Sequence, residues 1–131
     1  MSRGYLLDTN IAIAILVKEN TAIDFIHQAY RDKMPIYFST ITECEIFAGL
    51  KPEEQLQVEK LFTAKRCIEV TSENARIAGT IRREQKGKGR KLKTPDAIII
   101  AAALVNELTL ISRDSDMNFV QHGLGVPFIN I

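Results

Sequence analysis

The strongest constraint on this chain is alternation. Short runs suited to buried strands, Tyr5-Leu6-Leu7, Ile36-Tyr37-Phe38, Cys67-Ile68-Glu69-Val70, Thr109-Leu110-Ile111-Ser112 and Val126-Pro127-Phe128-Ile129, are separated by stretches of helical periodicity. Strands that alternate with helices build βαβ units, whose crossovers place a parallel sheet between two helical layers. The expected fold is α/β: a central parallel sheet of about five short strands flanked by helices, in one domain covering residues 1–131. Helices are expected over 11–17, 21–33, 41–50, 52–64, 73–86 and 95–107. Ser39 or Thr40 is expected to cap the third, Ser72 the fifth and Thr94 the sixth, with Pro95 at the favoured first helical position and Gly49 ending the third.

A length of 131 residues with 46% hydrophobic content suits one well-filled core. The longest uninterrupted apolar run, Ala97 to Val105, is far short of the roughly 20 residues of a membrane-spanning helix and reads as a buried helix. No apolar signal region follows Met1, which predicts a cytoplasmic protein without membrane attachment. Cys44 and Cys67 lack any disulfide or zinc spacing and are expected to be reduced and partly buried. The formal net charge of +1 decides nothing about partners, but its distribution is uneven. Arg82, Arg83, Lys86, Lys88, Arg90, Lys91 and Lys93 crowd one stretch against a single acid, Glu84, and such a stretch can hold phosphates.

Four acidic phrases sit where an apolar run ends or a helix begins: Asp8-Thr9-Asn10, Glu43-Cys44-Glu45, Thr94-Pro95-Asp96 and Asp114-Ser115-Asp116. In an open α/β sheet, ligands gather beyond the carboxyl ends of the strands, where strand order reverses. Asp8 and Asp114 follow predicted strands, so pairing of those strands brings them together, while Glu45 lies about one turn into the third helix and Asp96 in the first turn of the sixth, and both can face the same edge. Clustered carboxylates repel one another unless a cation holds them, and an oxygen-only set suits Mg²⁺ or Mn²⁺. Such an ion can activate water and steady charge on a phosphate, which points to phosphodiester hydrolysis.

Each acid also has a structural reading on its own. Asp8 can be an N-cap, Asp96 a first-turn acid favoured by the helix dipole, and Asp114 and Asp116 parts of an Asx-turn. Asn10 and Ser112 can orient waters at an ion or serve as ordinary turn residues. Glu43 and Glu45 diverge by about 200° on a helix, so only one faces inward, and Glu45 is chosen.

These same residues resemble the PIN-domain nucleases, most closely the VapC-type toxin ribonucleases of toxin–antitoxin pairs. Leu6-Leu7-Asp8-Thr9-Asn10 is similar to the family's opening strand and first acid, and Ser39 to Gly49 to its second block, with Glu45 as the matching acid. Thr94-Pro95-Asp96 through Leu104 resembles the third block, and Leu110-Ile111-Ser112-Arg113-Asp114-Ser115-Asp116 the fourth. The resemblance implies a PIN-like endoribonuclease in which Asp8, Glu45, Asp96 and Asp114, with Asp116 assisting, hold Mg²⁺ or Mn²⁺ and cleave structured RNA by metal-activated water. Ser112 fits the family's hydroxyl position, while an acid at Glu43 departs from the pattern. It further implies a homodimer, a small VapB-like antitoxin that covers the acidic groove, RNA such as a tRNA or rRNA loop as substrate, and products with a 5′-phosphate and a 3′-hydroxyl. Arg90, Lys91 and Lys93 are the candidate RNA contacts, with phosphate and shape expected to matter more than stacking.

Two other classes compete. A catalytically silent PIN-like domain would bind RNA or a partner without cutting, although all four matched acids are present. A receiver-like phosphoacceptor module needs an Asp after the central strand and a late Lys, whereas Val70 is followed by Thr71-Ser72 and no Lys occurs after Lys93.

Overall fold

A computed structural model describes residues 2–64 and 66–131; Met1, part of the N-terminal reading above, lies outside them. Five parallel strands, β1 (Tyr5–Leu7), β2 (Ile36–Ser39), β3 (Arg66–Ile68), β4 (Thr109–Ser112) and β5 (Phe128–Asn130), form one sheet in the order β3-β2-β1-β4-β5. The chain winds outward from β1 through β2 to β3, then returns to the other side of β1 for β4. The order therefore reverses between β1 and β4, the position where a crevice opens beyond the carboxyl ends.

Successive strand residues point to opposite faces, which splits the core in two. Leu6 and Leu110 pack under α5 (Ser72–Gly87) and α6 (Thr94–Val105), while Leu7, Phe38 and Ile111 pack under α1 (Thr9–Leu16), α3 (Thr40–Ala48) and α4 (Gln55–Ala64). Helix α2 (Asn20–Arg31) contributes the partly buried Phe25 and Ile26 to the second side and buries its own Ala22 and Ala29. Between Ala97 and Ala103 only Ile98 is not fully buried, so this run forms the expected core helix. Among the described residues no helix is long and apolar enough to cross a membrane.

Helix ends follow local chemistry closely, with two shifts. Ser39 caps α3 by accepting from the Ile41 amide, and Gly49 stands at that helix's C-cap. Thr71, not Ser72, caps α5 by accepting from the Asn74 amide, and α6 starts one residue early, with Lys93 at the N-cap and Thr94 already helical. Adjacent hydroxyls compete for one capping position, and the sequence does not say which wins. β5 begins after Pro127, which has no amide hydrogen to give a ladder, although its carbonyl accepts from Leu110 at 2.8 Å. The pair Glu69-Val70 falls outside β3 and is exposed. A short helix, α7 (Phe119–Gly123), escaped the sequence reading, and Cys44, expected to be partly buried, is exposed while Cys67 is half-buried.

Four helices end in paired backbone bonds of the Schellman kind: after α2, for example, Lys33 N–H donates to Tyr30 and Met34 N–H to Ala29. That motif needs a left-handed residue. Only Gly89, after α5, is a glycine; Lys18, Lys33 and Glu107 hold φ near +57° with full side chains. Gly4 is fixed for a different reason, since a Cβ there would lie 2.7 Å from the Pro35 carbonyl oxygen. Relief of the left-handed cost predicts that Lys33→Gly stabilises the fold by up to about 1 kcal/mol, read as a higher midpoint in urea or heat. A lower midpoint would show that the Lys33 side chain makes a compensating contact.

Candidate functional site

The pairing of β1 with β4 aligns Leu7 with Ile111 and continues through the Asp8 amide, which donates to the Ile111 carbonyl at 2.9 Å. The next pair in register is Asp8 and Ser112. Ser112 Oγ, itself fully buried, donates to Asp8 Oδ2 at 2.7 Å although 104 residues separate the two in sequence. Asp8 Oδ1 accepts from the Thr9 amide at 2.8 Å, so the residue also caps α1. The capping reading of Asp8 therefore holds, and the same side chain also reaches the neighbouring strand, with one oxygen for each.

Around this pair the expected residues converge. Asn10 Nδ2 donates to Ser112 Oγ at 3.2 Å, and the Asp114 amide donates to the same oxygen at 3.1 Å. Asp114 Oδ1 accepts from the Asp116 amide at 3.0 Å, the anticipated Asx-turn, which opens a short 3-10 turn over Ser115–Asn118. On the other side Thr9 Oγ1 donates to Glu45 Oε1 at 2.7 Å. Since a hydroxyl has one hydrogen and a carboxylate only accepts, the 3.0 Å contact between Thr9 and Thr42 hydroxyls must run from Thr42 to Thr9. Buried Thr42 therefore sets Thr9, and Thr9 sets Glu45.

Glu43 turns elsewhere. Its carboxylate lies near Cys67, and burial first, then this acid, push that thiol up to about 12. The divergence of Glu43 and Glu45 read from helical spacing is therefore real, with Glu45 on the side of Asp8.

Electrostatics tie the acids together. Burial raises the Asp8 carboxyl above its ordinary value, against the lowering hydrogen bonds from Ser112 and the Thr9 amide, and repulsion from Glu45 and Asp114 raises it further. Asp96 is also raised, first by burial and then by Asp8, Asp114 and Glu45, with Lys93 alone opposing. Asp96, Asp114 and Asp116 line a cavity of about 690 Å³ whose rim carries Arg90, Lys91 and Lys93. Asp8 and Glu45 lie outside that lining. Among the described residues no three acidic, His or Cys side chains stand close enough to form a finished ion cage. The donor set is nonetheless oxygen-only, mutually repulsive and partly buried, which are the properties a hard divalent cation would relieve.

The sequence reading missed one ion pair at this edge. Arg113, between Ser112 and Asp114, makes a two-pronged bond to Glu19 at 2.7 and 2.8 Å across 94 residues of sequence. This contact holds the Glu19 carboxyl below its usual range and leaves Arg113 Nε buried without a partner. Asn10 Oδ1 accepts from the Arg113 amide at 3.4 Å, so both ends of Arg113 brace the turn that carries Asp114. No periodicity or motif marks a pair so distant in sequence.

A raised carboxyl destabilises the fold while it is charged, so its neutral mimic should stabilise it. Asp96→Asn is predicted to melt above the parent chain at pH 7 in a divalent-free buffer. The gap should shrink as pH falls through the raised value and close below the unfolded value of about 3.8, where both chains are neutral at this position. Equal melting of the two at neutral pH would show that Asp96 feels no net repulsion.

Comparison with known proteins agrees with this architecture. The family model of the PIN domain matches residues 5–122. The chain is 29% identical over 109 residues to Ribonuclease VapC19 of Mycobacterium tuberculosis, covering 83% of this chain and 87% of that protein. Among solved structures, VapBC2 from Rickettsia felis bound to a DNA fragment from their promoter superposes with a TM-score of 0.83 at 19% identity, over 97% of this chain and 98% of that one. A toxin–antitoxin complex from Klebsiella pneumoniae gives 0.75 at 28% identity, over 97% of each chain. With the family model spanning nearly all of the sheet and every one of the acids, this chain belongs to the PIN-domain family.

Proposed function

We propose that this chain is a metal-dependent endoribonuclease, the toxin of a VapBC-type pair, and that Asp8, Glu45, Asp96 and Asp114 hold Mg²⁺ or Mn²⁺ with help from Asp116. The observation that carries the reading is the gathering of Asp8, Glu45, Asp96 and Asp114 at the β1–β4 crevice of a PIN fold, close enough that Asp8 and Asp96 are both raised by their acidic neighbours. Relatives named ribonuclease and neighbours solved as toxin–antitoxin complexes support the activity and the partner.

An ion held there supplies Lewis acidity at a phosphoryl oxygen and makes a water acidic enough to act as nucleophile near neutral pH. The residues supply the rest. Ser112 and the Thr9 amide fix both oxygens of Asp8, so this carboxylate is preorganised rather than mobile. The Thr42–Thr9 relay orients Glu45, and the Asx-turn braced by Arg113 orients Asp114. Asp96 accepts no hydrogen bond among the described residues, which leaves both its oxygens free for an ion, and one of the four carboxylates takes up the proton that the water loses. Arg90, Lys91 and Lys93 at the cavity rim meet the phosphates of an RNA loop, whose unpaired bases leave the backbone accessible. Hydrolysis in this arrangement leaves a 5′-phosphate and a 3′-hydroxyl.

A homodimer and a VapB-like antitoxin complete the reading. Exposed Ile13 on α1, Val17 at its C-cap, Phe47 on α3 and Leu56 on α4 are apolar side chains of three helices that pack on one another, a surface suited to a partner.

Asp8→Asn is predicted to lower Mg²⁺- or Mn²⁺-dependent RNA cleavage by about two orders of magnitude or more while the chain still melts cooperatively. Glu45→Gln should also cut activity strongly, whereas Glu43→Gln should change it less than about threefold, because Glu43 faces Cys67. Equal losses for Glu43 and Glu45 would overturn the assignment. Mg²⁺ should raise the melting temperature of the parent chain and not of Asp8→Asn. Sequencing RNA ends from cells making the parent chain or Asp8→Asn tests the activity and identifies the target together; indistinguishable ends would reject it in favour of a silent binding domain.

A further inference from the structure

Beside the acidic cavity lies a second one of about 620 Å³, and its lining is cationic. Gly79, Arg82, Arg83 and Lys86 on α5 form one wall. Their spacing of three, four and seven residues puts them on a single helical face about 10 Å long. The loop after α5 provides the other wall through Gly89, Arg90, Lys91 and Leu92. Glu84, the single acid of this stretch, does not line it. A Cβ added at Gly79 would meet nothing within 4 Å, so the missing side chain leaves the groove open rather than relieving a clash.

The two cavities join. Arg90, Lys91 and Leu92 line both, and Arg90 is held on the ridge between them. Its guanidinium lies 4.2 Å from the centre of the Phe119 ring, which faces the acidic cavity, and donates to Gln85 Oε1 at 3.3 Å. Arg82 Nε donates to the Leu92 carbonyl at 2.9 Å, tying loop to helix and leaving its terminal nitrogens as donors. Arg83 and Lys86 are exposed and make no ion pair among the described residues.

We propose that this α5 groove is a second RNA-binding site, which holds the phosphodiester backbone of single-stranded RNA flanking the segment in the acidic cavity. The inference rests on the nuclease reading for the occupant of that neighbouring cavity. A row of cations continuous with an acidic centre suits a ligand that carries regularly spaced phosphates and must cross from one to the other. The aliphatic stems of the arginines and Leu92 give bases and sugars an apolar floor. An RNA long enough to fill both cavities binds through both, while a short one binds through the acidic cavity and its rim alone.

The test uses the full chain carrying Asp8→Asn to halt cleavage, with fluorescein-labelled oligouridylates of about 6 and about 20 nucleotides as probes. Adding Arg83→Gln and Lys86→Gln is expected to weaken binding of the long probe about tenfold. The same change should lower its salt slope in magnitude by about 1.4, the release expected for two phosphate contacts on a single strand. Binding of the short probe should change less than twofold. Gly79→Leu, which fills the groove without altering charge, should weaken the long probe alone, with the melting temperature kept. Equal losses for both probes, or no loss for the long one, would overturn the proposal. So would a polyglutamate peptide that displaces the long probe at lower concentration than unlabelled oligouridylate of equal charge, since the groove would then serve an acidic protein. Cleavage by chains with intact Asp8 separates the two readings: absence of any divalent-dependent cleavage rejects the nuclease, whereas the binding comparison still decides the groove.

Discussion

A carboxylate nearly sealed from solvent, Asp8 with 5% exposure, is the constraint around which this edge of the molecule is arranged. Burying such a group costs free energy unless each oxygen finds a donor. Both do, one locally at the start of α1 and one from Ser112 across the sheet. The second bond exists only because β1 and β4 pair in parallel with Leu7 against Ile111; a slip of one residue would turn Ser112 to the opposite face. Strand register and site chemistry are therefore one specification.

Outward from Asp8, each acid is positioned by a different device. Glu45 follows a chain of hydroxyls, Asp114 follows its own turn, and Asp96 follows the first turn of a helix started by Lys93 and Pro95. The sheet gathers these elements, and Ser112 and Thr9 link two of the devices back to Asp8. Lys93 occupies the N-cap position of α6 without a side-chain capping bond and draws the Asp96 carboxyl downward, so one cation near the acids already offsets part of their repulsion. The Glu19 and Arg113 pair adds a brace from the far end of α1 to the turn after β4.

Much of this was legible in the amino-acid order. Alternation of short apolar runs with helical periodicity pointed to the fold class, since parallel strands need helical crossovers between them. The acids at strand ends and helix starts were visible because their neighbours, Leu7 before Asp8 and Pro95 before Asp96, mark those boundaries. What stayed hidden depended on distance or on competition. Glu19 and Arg113 meet across 94 residues with no periodic signal, and Thr71 and Ser72 offer the same capping chemistry one position apart. The five residues of α7 are too few to show a period, and the facing of Glu43 toward Cys67 needed the position of β3.

The order of strands has a consequence in time. β1 lies beside β4, a neighbour synthesised about a hundred residues later, so the first acid waits without its partner while those residues are made. Any nascent fragment ending before Ser112 lacks the hydroxyl that completes Asp8, along with the Asp114 turn. A ribosome that has not yet passed Ser112 and Asp114 thus carries an acidic edge whose first member still lacks its cross-sheet partner.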